Sequence, residues 1–153
     1  MQSFRTLIML ALLVALPFSS ALADAPTQDQ VVATVKKAIA FYKANGRAKA
    51  LADFNSKDGP FAKGENYVDV HDLNGVCVAH PTSPEVVGTN RLEQKDLNGK
   101  YWIRDIIEAT KKGDTSGWSN YVKKNPVTGK MQDKRSYWEL YDGLIFKAGL
   151  YIE

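Results

Sequence analysis

Residues 131–152, MQDKRSYWELYDGLIFKAGLYI, decide the fold class of this chain of 153 residues. Strand-forming residues stand on both sides of Asp142-Gly143, and an Asp-Gly pair is a strong signal for a two-residue hairpin turn. The segment therefore predicts two antiparallel strands, at 131–141 and 144–152.

Three further strands are predicted upstream of this hairpin. Residues 67–71 and 76–80 are strand-like, and Asn74-Gly75 between them is typical of a tight turn. Residues 117–123 form the third strand, which a turn at 125–129 connects to the terminal hairpin. Because hairpins join most of the five strands, we expect an antiparallel sheet.

Three helices are predicted around the sheet. Thr27 and Gln30 form a capping-box pattern before apolar residues at helical spacing, which predicts a helix at 28–44. Shorter helices are predicted at 47–54 and 100–112. The element order is α-α-β-β-α-β-β-β, and helices that cover part of an antiparallel sheet define the α+β class.

The turn positions also predict which residues are neighbours across the sheet. Pairing about the last turn places Lys134 opposite Tyr151. Pairing about the first hairpin places Tyr67 opposite His80 and points Cys77 to the opposite face. A slip of one residue would reverse these faces.

Residues 1–23 have the pattern of a signal peptide. Arg5 supplies a positive start, residues 7–16 are an unbroken apolar run, and small residues precede a cleavage site after Ala23. The alternative is an uncleaved anchor, but the run is shorter than the roughly 18–20 residues that cross a bilayer. We expect one domain, 24–153, in the periplasm or the medium.

Composition argues against several kinds of partner. The leader carries one arginine and no acid, so its removal lowers the formal charge from +3 to +2, too little to indicate nucleic acid or an anionic membrane. The pairs Lys111-Lys112 and Lys123-Lys124 predict solvated surface. Cys77 is the sole cysteine, so no disulfide framework is expected, and its apolar neighbours predict a buried structural thiol.

No sequence pattern supports catalysis or a cofactor. Only His71 and His80 offer imidazole bases, and the chain has no nucleophile elbow, P-loop, dinucleotide fingerprint or HExxH motif. Asp69 could orient His80, but the sequence places no nucleophile beside it. The two histidines are too far apart along the predicted hairpin to share a metal ion.

Other residues favour a small-molecule site. The C-terminal half is rich in tyrosine and tryptophan, whose apolar rings and polar tips suit a pocket for a small amphiphile, although an ordinary core is the alternative. His80 ends a strand before Pro81 and the long segment 81–99, where it either touches a ligand or is structural. Lys134 either forms a surface salt bridge or neutralises an anion inside.

Short motifs spread along the chain resemble the single Cache domain, type 2. They are VHDLNGV at 70–76, AHP at 79–81, GTN at 88–90, KDLNGK at 95–100, GWSNY at 117–121, NPVTGK at 125–130, KRSY at 134–137 and AGLY at 148–151. Their shared order and spacing carry the resemblance, which covers roughly residues 31–151.

The resemblance implies a PAS-like extracellular sensing fold. In that fold a long N-terminal helix packs on a five-stranded antiparallel sheet, and a further helix lies between the second and third strands. The pocket lies between the other sheet face and the intervening loop and helix. Such domains bind small molecules, often short organic acids or amines, and serve chemoreceptors and sensor kinases, and they can form homodimers along the N-terminal helix.

The resemblance also implies a ligand-binding site. Matching the motifs to this sequence assigns Tyr67, His80, Pro81, Asn90, Trp118, Tyr121, Lys134 and Tyr137. Lys134, His80 and the tyrosine hydroxyls would bind a carboxylate by charge-assisted hydrogen bonds, and ring faces would hold a short apolar tail.

The chain departs from the family pattern in two ways. Arg91 stands where the family usually has an apolar residue. Family members normally carry membrane helices and a cytoplasmic output module, and we expect neither here. We therefore expect a free exported domain that binds a small ligand unchanged and works with a membrane chemoreceptor or sensor kinase. The alternatives are a protein–protein adaptor with a degenerate pocket and an enzyme of small organic substrates.

Overall fold

A computed structural model describes residues 25–152, and the predicted signal peptide at 1–23 lies outside them. The helices are α1 (Gln28–Asn45), α2 (Arg47–Asn55) and α3 (Trp102–Lys111), and the strands are β1 (Asp69–Asp72), β2 (Cys77–Ala79), β3 (Ser116–Lys124), β4 (Met131–Tyr141) and β5 (Leu144–Ile152). The predicted α+β class and element order are confirmed.

The strands form one antiparallel sheet in the order β2-β1-β5-β4-β3. Asp142 and Gly143 have φ values of +51° and +70°, the left-handed conformations that a type I′ hairpin turn requires. Lys134 lies opposite Tyr151 as predicted. The central strand β5 therefore brings β1, from early in the chain, next to residues of the terminal hairpin.

The first hairpin does not have the predicted register. Val70 pairs with Ala79, but His71 pairs with Cys77, so the ladder contains an irregularity of one residue. The turn also closes one residue later than predicted, since the N–H of Asp72 donates to the carbonyl of Val76, and the Asp72 carboxylate accepts the N–H groups of Asn74 and Val76. As a consequence Cys77 shares a face with His71, and the prediction that it points away was wrong.

Helix α1 covers one face of the sheet with an apolar core. Thr27 and Gln30 form the predicted capping box, and Val31, Val35 and Ala38 are fully buried. The helix packs mainly on β5. The fully buried ring of Phe54 from α2 completes this core, with three other phenylalanine rings around it at centroid distances of 4.9–6.1 Å.

Helix α3 covers part of the other face. Its buried stripe of Trp102, Ile103, Ile106 and Ile107 packs on Tyr121, Trp138 and Ile145 of the sheet. The rest of that face, towards β1 and the far end of β3, carries polar side chains. The two faces therefore differ in the polarity of their side chains and in how much of each a helix covers.

Candidate ligand-binding site

The sheet face opposite α1 holds a group of buried charged and titratable side chains. We call this group the polar cluster: Asp69, His71, His80, Lys123, Lys134 and Lys147. Lys123 is half-buried, and every other member is at most 4% exposed. Burying a charged side chain costs several kcal/mol, and removing one partner of a buried ion pair costs on the order of 3–5 kcal/mol. Each charged member of the cluster therefore needs an opposite charge or hydrogen bonds beside it.

One part of the cluster is balanced in charge. Lys147 and Asp69 are cross-strand partners, and their Nζ and Oδ2 atoms lie 2.7 Å apart. Burial alone would raise the pKa of Asp69, but Lys147 holds that pKa well below its usual value. Burial, reinforced by Lys147, lowers the pKa of His71 to about 3. His71 is therefore neutral at pH 7, with Nδ1 3.3 Å from the same carboxylate oxygen.

Lys134 is the lysine of the cluster whose amino group has neither a counterion nor a hydrogen-bond partner within residues 25–152. Its Nζ is buried. It lies 3.9 Å from the ring centroid of Tyr67 and 4.8 Å from that of Tyr151. Burial and the nearby Lys123 lower the pKa of Lys134 well below the usual lysine value. Cation–π contacts of about 2 kcal/mol offset only part of such burial.

The backbone makes room for this lysine at Gly149. A Cβ atom at that position would lie 2.7 Å from Cε of Lys134 and 2.5 Å from Oγ of Ser136, closer than carbon atoms tolerate. The absence of a side chain at Gly149 of β5 therefore leaves the space that the long Lys134 side chain of β4 occupies. The Lys134 amino group is held in place with its donors unused.

Lys123 approaches the same region from β3. Its Nζ lies 2.9 Å from Nε2 of His80 and 5.9 Å from the ring centroid of Tyr67. Burial and Lys123 lower the pKa of His80 to about 2, so the neutral imidazole accepts a hydrogen bond from the lysine through Nε2. Burial lowers the pKa of Lys123 to about 8, which leaves it mostly protonated at pH 7.

The prediction of a solvated Lys123-Lys124 pair was half wrong. Lys124 is exposed, but Lys123 lies on the same strand face as Tyr121, two residues away, because side chains alternate along β3. Sequence adjacency of two lysines on a strand therefore does not give them the same environment.

A cleft of about 270 Å³ opens beside the cluster, between β3 and the segment that precedes α3. Arg91, Lys95, Trp102 and Lys123 line it, and Asp96 is the acidic residue in its wall. The Asp96 carboxylate accepts three backbone N–H groups, from residues 98, 100 and 122, and so fastens the loop to β3. Lys123 belongs to both the cleft and the cluster, so the cleft is a route to it from solvent.

Aromatic and hydroxyl groups complete the wall. Trp102 of α3 stacks on Tyr121 with ring centroids 5.1 Å apart and planes within 6°. The Tyr121 hydroxyl lies 3.1 Å from Oγ of Ser136. Oγ of Ser119 is buried and has no hydrogen-bond partner within the described part of the chain. The site thus offers donors, ring faces and little negative charge.

Four of the eight residues assigned by resemblance meet on this face: Tyr67, His80, Tyr121 and Lys134. The ring centroids of Tyr67 and His80 lie 5.2 Å apart, so the expected contact exists although the register around it shifted. Pro81 is buried directly after His80.

The other three assigned residues lie elsewhere. Trp118 and Tyr137 lie on the α1 face, where their ring centroids are 5.4 Å apart and both pack against the apolar core. Each is three residues from Tyr121 or Lys134, and an odd separation on a strand reverses the face. Asn90 is exposed at the β1–β2 turn, where its amide donates to the carbonyl of Asn74.

Sequence reasoning missed Lys123 and Lys147 as members of this site. Lys147 lies in the middle of β5, which the structure places at the centre of the sheet, whereas the sequence predicted only its pairing with β4. Such a lysine needs a buried acid beside it, and Asp69 is that acid.

Residues 30–151 match the family model of the Single Cache domain 2. The chain belongs to this family. Cache domains are extracellular sensing domains that bind small ligands, and the buried polar cluster lies on the sheet face where the resemblance placed the pocket of this Cache domain.

Solved structures with the same fold are chemosensory proteins. A methyl-accepting chemotaxis protein from Vibrio parahaemolyticus superposes with a TM-score of 0.65 at 23% identity, over 80% of this chain and 83% of that one. The periplasmic sensor domain of a chemotaxis protein gives 0.60 at 23% identity, over 82% and 90%.

A third structure concerns carboxylic acid recognition by a Cache chemosensory domain, with a TM-score of 0.62 at 22% identity, over 82% of this chain and 88% of that one. At these identities the likeness establishes the fold of this Cache domain. Within residues 25–152, no helix is both long and apolar enough to cross a membrane.

Proposed function

We propose that this protein is an exported sensory domain that binds a small carboxylate in the polar cluster. The observation that carries the proposal is Lys134, whose amino group is buried beside two tyrosine rings and has no hydrogen-bond acceptor among residues 25–152. A carboxylate at Nζ would satisfy its donors and oppose both causes that lower its pKa.

The surrounding groups favour an anion with a short apolar part. Lys123 adds a second amino group as a donor. The cluster holds three lysines and one carboxylate, and the neutral His80 adds no charge. The rings of Tyr67, Tyr121 and Tyr151 supply apolar surface for a tail of a few carbon atoms. The Cache chemosensory domain known for carboxylic acid recognition supports the same ligand class.

Binding without catalysis fits the arrangement. The imidazoles have pKa values of about 2 and 3, lowered by burial first and nearby lysines second, which is far from that of a general base at neutral pH. Burial raises the pKa of the Cys77 thiol to about 11, which disfavours a nucleophilic thiolate. We propose that the domain leaves its ligand unchanged.

We further propose that the domain acts outside the cytoplasm with a membrane protein. The predicted signal peptide at 1–23 and the chemotaxis proteins that share the fold support this role. A chemoreceptor or sensor kinase would read the ligand-bound form.

Isothermal titration calorimetry on the exported protein tests the ligand class. We expect acetate, propionate, pyruvate or lactate to bind, and the matched amides, acetamide and propionamide, to give no heat, because the amides lack the charge that Lys134 requires. Equal binding of acid and amide would contradict the role of the lysine. No binding by any carboxylate, together with capture of a receptor ectodomain, would favour the adaptor function instead.

A further inference from the structure

Among the described residues, the polar cluster has three lysines and one carboxylate, so two of its lysines have no carboxylate partner. Lys147 is neutralised by Asp69 at 2.7 Å. Lys123 and Lys134 have no carboxylate within 4.0 Å among the described residues. The remaining acid that acts on Lys134, Glu65, accepts a hydrogen bond from Asn125 at 2.6 Å.

The two lysines occupy different parts of the site. Lys134 lies deep, against the rings of Tyr67 and Tyr151. Lys123 lies at the wall of the cleft, where one of its three N–H donors is used by His80. Both amino groups lie near the Tyr67 ring, at 5.9 Å from its centroid for Lys123 and 3.9 Å for Lys134, which makes this ring the common neighbour of the two lysines.

We infer that the ligand carries two acidic groups, as a short dicarboxylate does, with one carboxylate on Lys134 and the other on Lys123. This inference rests on the proposed function, since it names the class of carboxylate that the site prefers. A monocarboxylate would compensate one lysine and leave the other with unused donors in a poorly solvated site, which carries a penalty.

The cleft supports this assignment at the Lys123 end. Arg91 and Lys95 also line it, and its acidic residue, Asp96, already accepts three backbone N–H groups. The positive residues raise the local concentration of anions at the opening. Arg91, the departure from the family pattern, thus contributes positive charge on the side where the second carboxylate would lie.

Paired titrations test the inference. Calorimetry at pH 7 compares malonate with propionate and succinate with butyrate, so that carbon number is equal within each pair. We expect at least one dicarboxylate to bind tenfold or more tightly than its monocarboxylate. In Lys123→Met we expect the dicarboxylate to lose at least tenfold, while the monocarboxylate changes less than threefold.

The control is Lys112→Met, which removes the same charge from an exposed residue at the end of α3. It should leave both affinities unchanged. Thermal melts establish that each variant folds, and the comparison on the unaltered protein decides the matter even if Lys123→Met does not fold.

Three results would overturn the inference. Monocarboxylates that bind as tightly as dicarboxylates would refute it while leaving carboxylate binding intact. Sulfate that binds as tightly as the best dicarboxylate would show that a compact dianion suffices. If neither class of carboxylate binds, the proposed function fails together with the inference.

Discussion

The two faces of this sheet, built from the same strands, bury opposite kinds of side chain: apolar ones on one face and charged ones on the other. The face under α1 is apolar, and Val31, Val35 and Phe54 are fully buried there. The face under α3 holds two buried lysines, Lys134 and Lys147, the half-buried Lys123 and one buried carboxylate, Asp69. The difference teaches that alternating residues of β4 and β5 place the apolar core on one face of the sheet and the proposed ligand site on the other.

The largest effect should follow from damage to the α1 face. Phe54→Ala removes a fully buried ring that three aromatic neighbours surround, and we expect a loss of about 3–5 kcal/mol in the free energy of unfolding. Denaturant titration measures this loss. The folded fraction should bind carboxylate with unchanged affinity, and weaker intrinsic binding would show that the two faces are coupled.

The next largest effect should follow from a substitution on the polar face, which lowers carboxylate affinity but raises the free energy of unfolding. Lys134→Met keeps length but removes a buried group without an acceptor, so we expect carboxylate affinity to fall by roughly 100-fold, about 2.7 kcal/mol. The unliganded protein should be more stable by about 1–2 kcal/mol, since apolar replacement of buried charge is often stabilising. Calorimetry and thermal melts measure the two changes.

Lys36→Met, at an exposed position of α1, is the matched control for charge loss. It should alter neither property. A Lys134→Met protein that is clearly less stable than the parent would mean that the amino group has a partner in solution.

The polar face should also make stability depend on pH. Burial, reinforced by nearby lysines, lowers the pKa of His71 to about 3 and that of His80 to about 2, so the unfolded chain binds more protons below pH 6.5. The stability is fully present above pH 6.5 and is lost as pH falls towards those values. Asp69, whose pKa is also lowered in the fold by Lys147 despite burial, adds a loss below about pH 4.

Between pH 7 and pH 5 we expect the unliganded protein to lose roughly 4 kcal/mol from the histidine shifts alone, about 2 kcal/mol from each histidine. Denaturant titrations at both pH values measure this. His80→Gln should roughly halve this loss, because His71 still contributes its share. A profile that is already flat in the parent would mean that the histidines are solvated or paired in the folded protein.

The smallest effect is expected at Trp118, which the resemblance assigned to the site and which lies on the α1 face of the sheet. Trp118→Phe should change carboxylate affinity less than twofold, because the indole packs towards α1 and not towards Lys134. Tyr121→Phe, three residues away on the polar face, is the informative partner, since it removes the hydroxyl next to Ser136. A tenfold loss in Trp118→Phe would place ligand on the α1 side.

Much of the fold could be predicted from the sequence because its signals are local. The capping box at Thr27 and the Asp142-Gly143 turn specify their elements from a few residues, and both strands of the last hairpin have the predicted bounds. The first hairpin could not be predicted to the residue, because its turn closes between Asp72 and Val76 and its ladder has a further irregularity between Val70 and His71.

The site was harder to predict because it depends on strand parity and on pairs far apart in sequence. Trp118 and Tyr137 were grouped with Tyr121 and Lys134 by motif, although an odd spacing on a strand separates them. Lys123 was predicted to be solvated because it is adjacent to Lys124 in the sequence. Only the position of β1 beside β5 brings Asp69 to Lys147 and reveals which lysines remain uncompensated.

The central position of β5 has a consequence for the order of folding. The β1–β2 hairpin and the β3–β4 hairpin share no hydrogen-bonded edge, and β5 joins them. A chain that has not yet reached Leu144 holds two separate hairpins and an amphipathic helix with nothing to cover it. Sheet closure is therefore a late, long-range event, slow by the measure of contact order. A chain that is threaded through a membrane from its N-terminus would stay unfolded until its last strand had crossed.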